Sequence, residues 1–219
     1  MKVEIWSDLV CPFCYIGKRN FESALARFAK RDDVKIIWKS FELDPDAIHE
    51  PGVSVHEMLA AKYGQSVEWA KRATAQVAAT AERAGLKFAI DRTGPTNTFD
   101  AHRLVHLAAT RGLQGEAEER IFSAYFTEGK QIGDKAVLAK LAGEIGIPSG
   151  EAAKLLDGNG FSKEVRDDEE EGRRMGINAV PTFIIDRKHK ITGAQPPDVF
   201  LNALDAAVKG KEEKPVNQR

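Results

Sequence analysis

The sequence predicts an α/β protein in which a β-α-β segment and a β-β-α segment flank a long helical block. Three observations carry this. Strand-like runs are confined to the two ends of the chain, at residues 2–8 and 34–43 and again at 182–185 and 190–192. The roughly 120 residues between them show helical spacing only. A Cys-Pro-Phe-Cys sequence, Cys11 to Cys14, stands where the first strand gives way to the first helix. A covered four-stranded sheet needs both ends of the chain, so the helical block must be an insertion between them. The expected division is a core of residues 1–43 and 164–209, an inserted helical domain of 44–163, and a frayed tail at 210–219.

Each element has its own grounds. Val3 and Ile5 alternate with Trp6, which marks the first strand. Pro12 suits the first position of a helix, where its missing N–H has no intrahelical partner to lose. Phe21, Leu25 and Phe28 recur at helical spacing and carry that helix to about Lys30. Residues 34–43 are rich in β-branched and aromatic side chains and read as a strand buried on both faces. Asp44-Pro45-Asp46 ends it. In the block that follows, Ala101, Leu104, Val105 and Ala108 form one apolar stripe. Ile121, Phe122 and Tyr125 form another, and Val137, Leu138, Leu141, Ala142 and Ile145 a third, opened by Asp134 as N-cap. Gly146-Ile147-Pro148-Ser149 breaks that helix and starts the next. Between Ser162 and Met175, acids at 167–171 precede Arg173 and Arg174, an order that suits the helix dipole and reads as a solvated face. Thr182 to Ile185, a turn over 186–189, and Lys190 to Thr192 make a hairpin. Pro196-Pro197-Asp198 opens a last helix with Phe200, Leu201, Leu204 and Val208 inward.

Composition removes several classes of function. With 219 residues, 42% of them hydrophobic, the chain can bury a core without staples. Its formal net charge of -1 argues against a nucleic-acid partner bound through bulk charge. No apolar run approaches the roughly 18 residues that span a bilayer, so no membrane partner is expected. Residues 1–8 carry charge straight into a strand and lack the apolar stretch of a signal peptide, which predicts a cytoplasmic protein. Two cysteines are no disulfide framework for a domain of this size, and a reducing compartment would not keep them bridged for structure alone.

The cysteine spacing is the main chemical signal. Residues three apart share one side of a helix, which brings the two sulfurs within reach of a disulfide. The free amides and dipole of a helix N-terminus favour thiolate, the nucleophile of thiol–disulfide exchange. Cys11, at the cap, is the expected exposed attacker, and Cys14, one turn in, the resolving thiol. Half of a zinc site is the competing reading, but it needs two further ligands and no second cysteine pair exists. His102 and His106 have metal-ligand spacing without a Glu after the first His or a third ligand, so they are expected as satisfied histidines and no metal is predicted. Ala179-Val180-Pro181-Thr182 places a proline at the head of a strand. The local sequence suits an ordinary trans proline at a strand edge.

Taken together, the strand–CPxC–helix unit, the helical insertion, and Val180-Pro181-Thr182-Phe183 before a terminal hairpin and helix resemble the DsbA-like branch of the thioredoxin superfamily. Three stretches are similar to its FrnE-type subgroup: Cys11 to Lys18, Asn97 to Leu104, and Gly193 to Pro196. The resemblance implies a thioredoxin fold with a helical insertion, a cis-proline loop beside the CxxC, and thiol–disulfide oxidoreductase activity. In this light Pro12 and Phe13 complete the active-site motif. Val180, Pro181 and Thr182 become the expected binding segment for a substrate backbone, and Asn97 and His102 part of a lid. The expected partners are proteins or small molecules bearing thiols or disulfides. No organic cofactor is expected beyond the redox pair, with glutathione or a thioredoxin-type protein as reductant. Two departures stand out. The dipeptide between the cysteines is Pro-Phe where the periplasmic oxidase has Pro-His, and the second cysteine pair of some FrnE-type proteins is missing. The alternatives are a glutathione-dependent transferase or isomerase of the kappa or chromene-carboxylate isomerase type, and a holdase. The former typically has Ser at the nucleophile position and does not need Cys14.

Overall fold

The computed structural model describes residues 1–48 and 52–212. The chain forms β1 (Lys2–Ser7), α1 (Pro12–Arg27) and β2 (Lys35–Ser40). Seven α-helices follow: α2 (Val55–Tyr63), α3 (Val67–Arg83), α4 (Phe99–Ala109), α5 (Gln114–Phe126), α6 (Lys135–Glu144), α7 (Ser149–Asp157) and α8 (Ser162–Arg174). The hairpin β3 (Thr182–Ile185) and β4 (His189–Thr192) and then α9 (Pro197–Glu212) close the chain. The four strands form one sheet in the order β2-β1-β3-β4. β1 runs parallel to β2 and antiparallel to β3, with Ile5 opposite Trp38 on one side and Phe183 on the other.

Alternation along β1 sorts the two faces of the sheet. Val3 and Ile5 join Phe183 and Ile185 in the main core, where Phe21 of α1 and Phe200 of α9 pack with Phe183 at centroid separations of 5.5 and 4.6 Å. Trp6, with Ile184 and Ile177, faces the other way, under α8. There the Trp6 indole N–H donates to the Asp168 carbonyl at 2.9 Å. α8 comes so close that a Cβ on Gly172 would lie 2.8 Å from Trp6 Nε1. The helical insert docks through the outer side of α1, where Tyr15 stacks on Phe122 at 4.9 Å and on Phe88 at 5.9 Å.

Several expectations need correction. β2 is not buried on both faces: Trp38 and Ser40 are, but Lys35 is exposed and Ile36 and Ile37 are only half-buried. It is an edge strand, which a local run of β-branched residues cannot reveal. Its outer backbone is closed by side chains instead of a further strand. Gln114 accepts from Trp38 N–H and donates to Trp38 C=O, both at 3.0 Å, and Asp168 accepts from Ser40 N–H at 3.1 Å. The strand stops at Ser40, short of Leu43, and α1 stops at Arg27, where Phe28 is already extended.

The acids of α8 are not all solvated. Asp167 is exposed, but Asp168 is 4% exposed and receives Lys39 Nζ at 2.6 Å, with His106 Nε2 at 3.2 Å. Glu171 bridges Lys39 and Arg187. A charge run shows no periodicity that distinguishes an inward acid from an outward one, and here the inward ones anchor α8 to β2. The expected boundary at 163/164 thus falls inside the first turn of a helix that contacts both β2 and α4.

Burial opposes ionisation of Asp168, but hydrogen bonds from His106 and Lys39 outweigh it and hold the carboxyl below its usual range. A depressed acid stabilises the fold above its unfolded pKa and stops doing so as pH falls through the folded value. Asp168→Ala should therefore cost roughly 3–5 kcal/mol at neutral pH, since it leaves the Lys39 charge and the Ser40 amide without a partner. The deficit should shrink on acidification below the ordinary Asp range. Urea denaturation across a pH series checks both statements.

Candidate active site

The two cysteines sit where β1 ends and α1 begins. Cys11 is the N-cap, its N–H donating to Asp8 C=O at 3.0 Å, and Pro12 takes the first helical position. Cys14 lies one turn in, with its N–H bonded to Cys11 C=O at 3.0 Å. Both are free thiols. The Cys14 sulfur is wholly buried and accepts from Asp8 N–H at 3.5 Å. Burial, and then the adjoining Cys11, push its thiol well above the ordinary value.

Cys11 is not the exposed thiol that its cap position suggests. It is 4% exposed, because the carbonyl of Val180 lies over its sulfur at 3.7 Å. The residue that shows at the surface is Phe13, 44% exposed. The structure brings Val180, Pro181 and Thr182 to this point through the β1–β3 pairing, which sets Trp6 opposite Thr182. The Val180–Pro181 peptide bond is cis. Thr182 donates to Ala179 C=O at 2.7 Å, and Gly193 N–H reaches Pro181 C=O at 2.8 Å, so the loop is tied on both sides. α1 meets it at Gly17, where an added Cβ would lie 2.9 Å from Pro181 Cγ.

Asn97 and His102 do not form a lid. The Asn97 side chain donates to Pro45 C=O at 2.8 Å and accepts from Phe99 N–H at 2.9 Å, which pins the start of α4 to the segment after β2. His102 is 1% exposed and points inward, its Nε2 3.5 Å from Asp8 Oδ1. His106 faces Asp168, so the two histidines serve different acids. Around His102 lie two carboxylates that the sequence reading passed over: Glu118 of α5, 1% exposed, and Glu42, which takes Arg166 as ion partner. A signal was present for Glu118, which falls on the apolar stripe of Ile121, Phe122 and Tyr125 at helical spacing. Asp8 also accepts from Leu43 N–H at 2.7 Å. Burial opposes protonation of His102, but Asp8, then Glu118 and Glu42, outweigh it and raise its pKa. Burial pushes Glu118 up to about 7.

The family model described as DSBA-like thioredoxin domain matches residues 2–205. The chain belongs to this family. A curated relative is the uncharacterised protein YwbO of Bacillus subtilis (strain 168), 30% identical over 217 residues, which are 95% of this chain and 98% of YwbO. The crystal structure of a probable DsbA oxidoreductase, SCO1869 from Streptomyces coelicolor, superimposes with a TM-score of 0.91 at 39% identity, covering 100% of this chain and 94% of that one. The cytosolic disulfide reductase DsbM from Pseudomonas aeruginosa, solved with GSH, shares the fold at 18% identity and a TM-score of 0.66, over 95% of this chain and 100% of that one. Among the described residues of this DSBA-like domain, no helix is long and apolar enough to cross a membrane.

Two outcomes follow for this DSBA-like domain. Gly17→Ala should force Pro181 outward, cost roughly 1–3 kcal/mol by overpacking, and shift the Val180 carbonyl off Cys11; denaturation and a crystal structure of the variant check it. Glu118 keeps its proton to about pH 7 when folded but releases it near 4.5 when unfolded. The folded state therefore binds more protons between those values. The stability this contributes is complete below the lower value and is lost as pH rises through the upper. Glu118→Gln does not carry this loss, so between about pH 5 and pH 8 its stability relative to the parent should climb by on the order of 3 kcal/mol, measured by urea denaturation.

Proposed function

We propose that this protein is a dithiol–disulfide oxidoreductase whose reacting pair is Cys11 and Cys14, working in the cytoplasm in the reducing direction. The observation that carries the reading is the asymmetry of the pair at the head of α1. Cys14 is sealed at 0% exposure, while Cys11 sits at the cap under a single carbonyl. Displacing the Val180 carbonyl opens the Cys11 sulfur to a substrate, while Cys14 stays behind it.

In the reduced protein the Cys11 thiolate attacks a substrate disulfide. A Cys11–substrate disulfide forms, the substrate S–S bond breaks, and one substrate thiolate leaves. Cys14 then loses its proton and attacks Cys11 Sγ. The Cys11–Cys14 disulfide forms and the second substrate thiolate departs. The substrate gains two electrons and the protein loses two. A thiol reductant, glutathione or a thioredoxin-type protein, resets the pair. The Val180-Pro181-Thr182 segment pairs with the substrate backbone in extended form, and Phe13 adds apolar contact. The motifs at Cys11 to Lys18, Asn97 to Leu104 and Gly193 to Pro196 support the FrnE-type subgroup. That DsbM is named a cytosolic disulfide reductase agrees with the reducing direction.

The test is chemical. Alkylation of the reduced protein should label Cys11 before Cys14, whose thiol is sealed and raised by burial. Cys14→Ser should accumulate mixed disulfides with a disulfide-containing client, and Cys11→Ser should form none. Insulin reduction by dithiothreitol should accelerate with the parent protein and not with Cys11→Ser. Equal labelling of both thiols would overturn the assignment. Client protection that survives loss of both cysteines would point to a holdase.

A further inference from the structure

The stretch from Gly193 to Pro196 follows β4 and takes no part in the exchange chemistry, yet it forms the wall behind the Val180–Pro181 segment. Gly193 has a φ of 83°, which glycine adopts without a Cβ penalty. From there its N–H donates to Pro181 C=O at 2.8 Å, and its own C=O accepts from Gln195 N–H at 2.9 Å. The Gln195 side chain turns back to Thr192 C=O at 3.0 Å. These bonds lie within the hairpin or just beyond its ends. Asn20 ties the stretch to the cysteine helix, its side-chain amide donating to Gln195 C=O at 3.0 Å. Asn20 stands three residues after Gly17 on α1, so the two share a side of the helix. Gly17 lets α1 approach both segments of the wall: an added Cβ would lie 2.9 Å from Pro181 Cγ and 3.5 Å from Ala194 Cα. Contacts thus close a ring from α1 through Gln195, Gly193 and Pro181 back to α1. Val180, whose C=O lies 3.7 Å from Cys11 Sγ, is one residue from that ring.

We propose that Asn20 is a positioning residue for substrate. By anchoring the turn at Gly193–Gln195 to α1, it sets the place of the Val180–Pro181 segment relative to Cys11, and with it the affinity for an extended peptide. It touches neither sulfur. The proposal rests on the reading of Cys11 as the attacking thiol and of Val180-Pro181-Thr182 as the segment that pairs with a substrate backbone. A substrate paired with that segment brings its sulfur to Cys11 only if the segment and the head of α1 keep a fixed separation. The β1–β3 register fixes that separation along the strands. Across α1, the half-buried Asn20 amide supplies the bond. An ionised carboxylate has no proton to donate, so Asn20→Asp keeps the shape and loses the bond to Gln195 C=O. Pairing through backbone groups makes the effect general for peptides and absent for a disulfide without a peptide backbone.

Two probes with one leaving group test this. Dithiobis(nitrobenzoate) carries no backbone, whereas the mixed disulfide of thionitrobenzoate with a short cysteine peptide does. In both, Cys11 attacks, a disulfide forms between Cys11 and the retained half, and the first thionitrobenzoate leaves with the electron pair of the broken S–S bond. Its release under excess reduced protein gives a half-saturating concentration and a limiting rate. For the peptide probe, Asn20→Ala and Asn20→Asp should raise the half-saturating concentration roughly 3- to 10-fold, the loss of one hydrogen bond, and keep the limiting rate. First release from dithiobis(nitrobenzoate) should keep the parent's rate. Asn20→Gln, with the same amide on a longer arm, should restore part of the peptide affinity. Unchanged saturation by the peptide, or an equal loss with both probes, would overturn the proposal. Failure of both variants to fold would overturn it too, by making Asn20 a residue of the fold alone. If N-methylation of the peptide backbone leaves the parent's half-saturating concentration unchanged, the pairing reading itself fails, and the proposal falls with it. A parent that releases thionitrobenzoate from neither probe would remove Cys11 as the attacking thiol.

Discussion

Hydrogen bonding of β1 along both of its edges is the constraint on which the reacting end of the molecule depends. One edge takes β2, from early in the chain, and the other takes β3, from about 180 residues later. The cysteine loop leaves the end of β1, and the Val180–Pro181 segment enters the start of β3. Antiparallel pairing sets Trp6 opposite Thr182, so the two segments have to emerge side by side. The contact of the Cys11 sulfur with Val180 C=O and the approach of Gly17 to Pro181 are consequences of that register. A one-residue slip would turn Val3 and Ile5 out of the core and part the two segments together.

Most of the polar chemistry lies where helices of the insert cover what the sheet leaves open. β2 is an edge, and an unpaired edge is a site for unwanted association. Gln114 closes it at Trp38 with both halves of its amide, as a neighbouring strand would. Asp168 closes it at Ser40 and gathers Lys39 and His106 in the same place. Gln114 of α5 and Asp168 of α8 thus tie both helices to the strand backbone, and with the Tyr15 stack they fix the angle at which α4 and α5 meet the core.

That fixed angle has a chemical result. It carries His102 and Glu118 to Asp8, whose own N–H donates to Cys14 Sγ. Burial acts on the two ends of this line in the same sense, raising both the Cys14 thiol and the Glu118 carboxyl. The low dielectric that makes each group costly favours its neutral form.

The reading of the chain went furthest where the signal is local. Pro12 at the first helical position, the alternation of β1, the apolar stripes of α4, α5 and α6, and the break at Gly146 to Ser149 follow from bonds and spacings within a few residues. They are found in the structure as the spacing predicts. Cysteine spacing likewise set Cys11 and Cys14 one turn apart, and they stand so at the head of α1. What depends on neighbours far along the chain was not legible. Ile36 and Ile37 look buried until the strand order puts them at an edge, and Asp168 looks solvated until β2 lies beneath it. Cys11 looks exposed until a carbonyl from residue 180 covers it, and His102 looks like lid until Asp8 stands opposite. Sequence by itself determined most of the elements and the order of the halves, because those rest on backbone periodicity and covalent spacing. Tertiary structure alone decided which charges are buried and what each sulfur touches, because burial and electrostatics depend on every group nearby, and only folding brings those groups near.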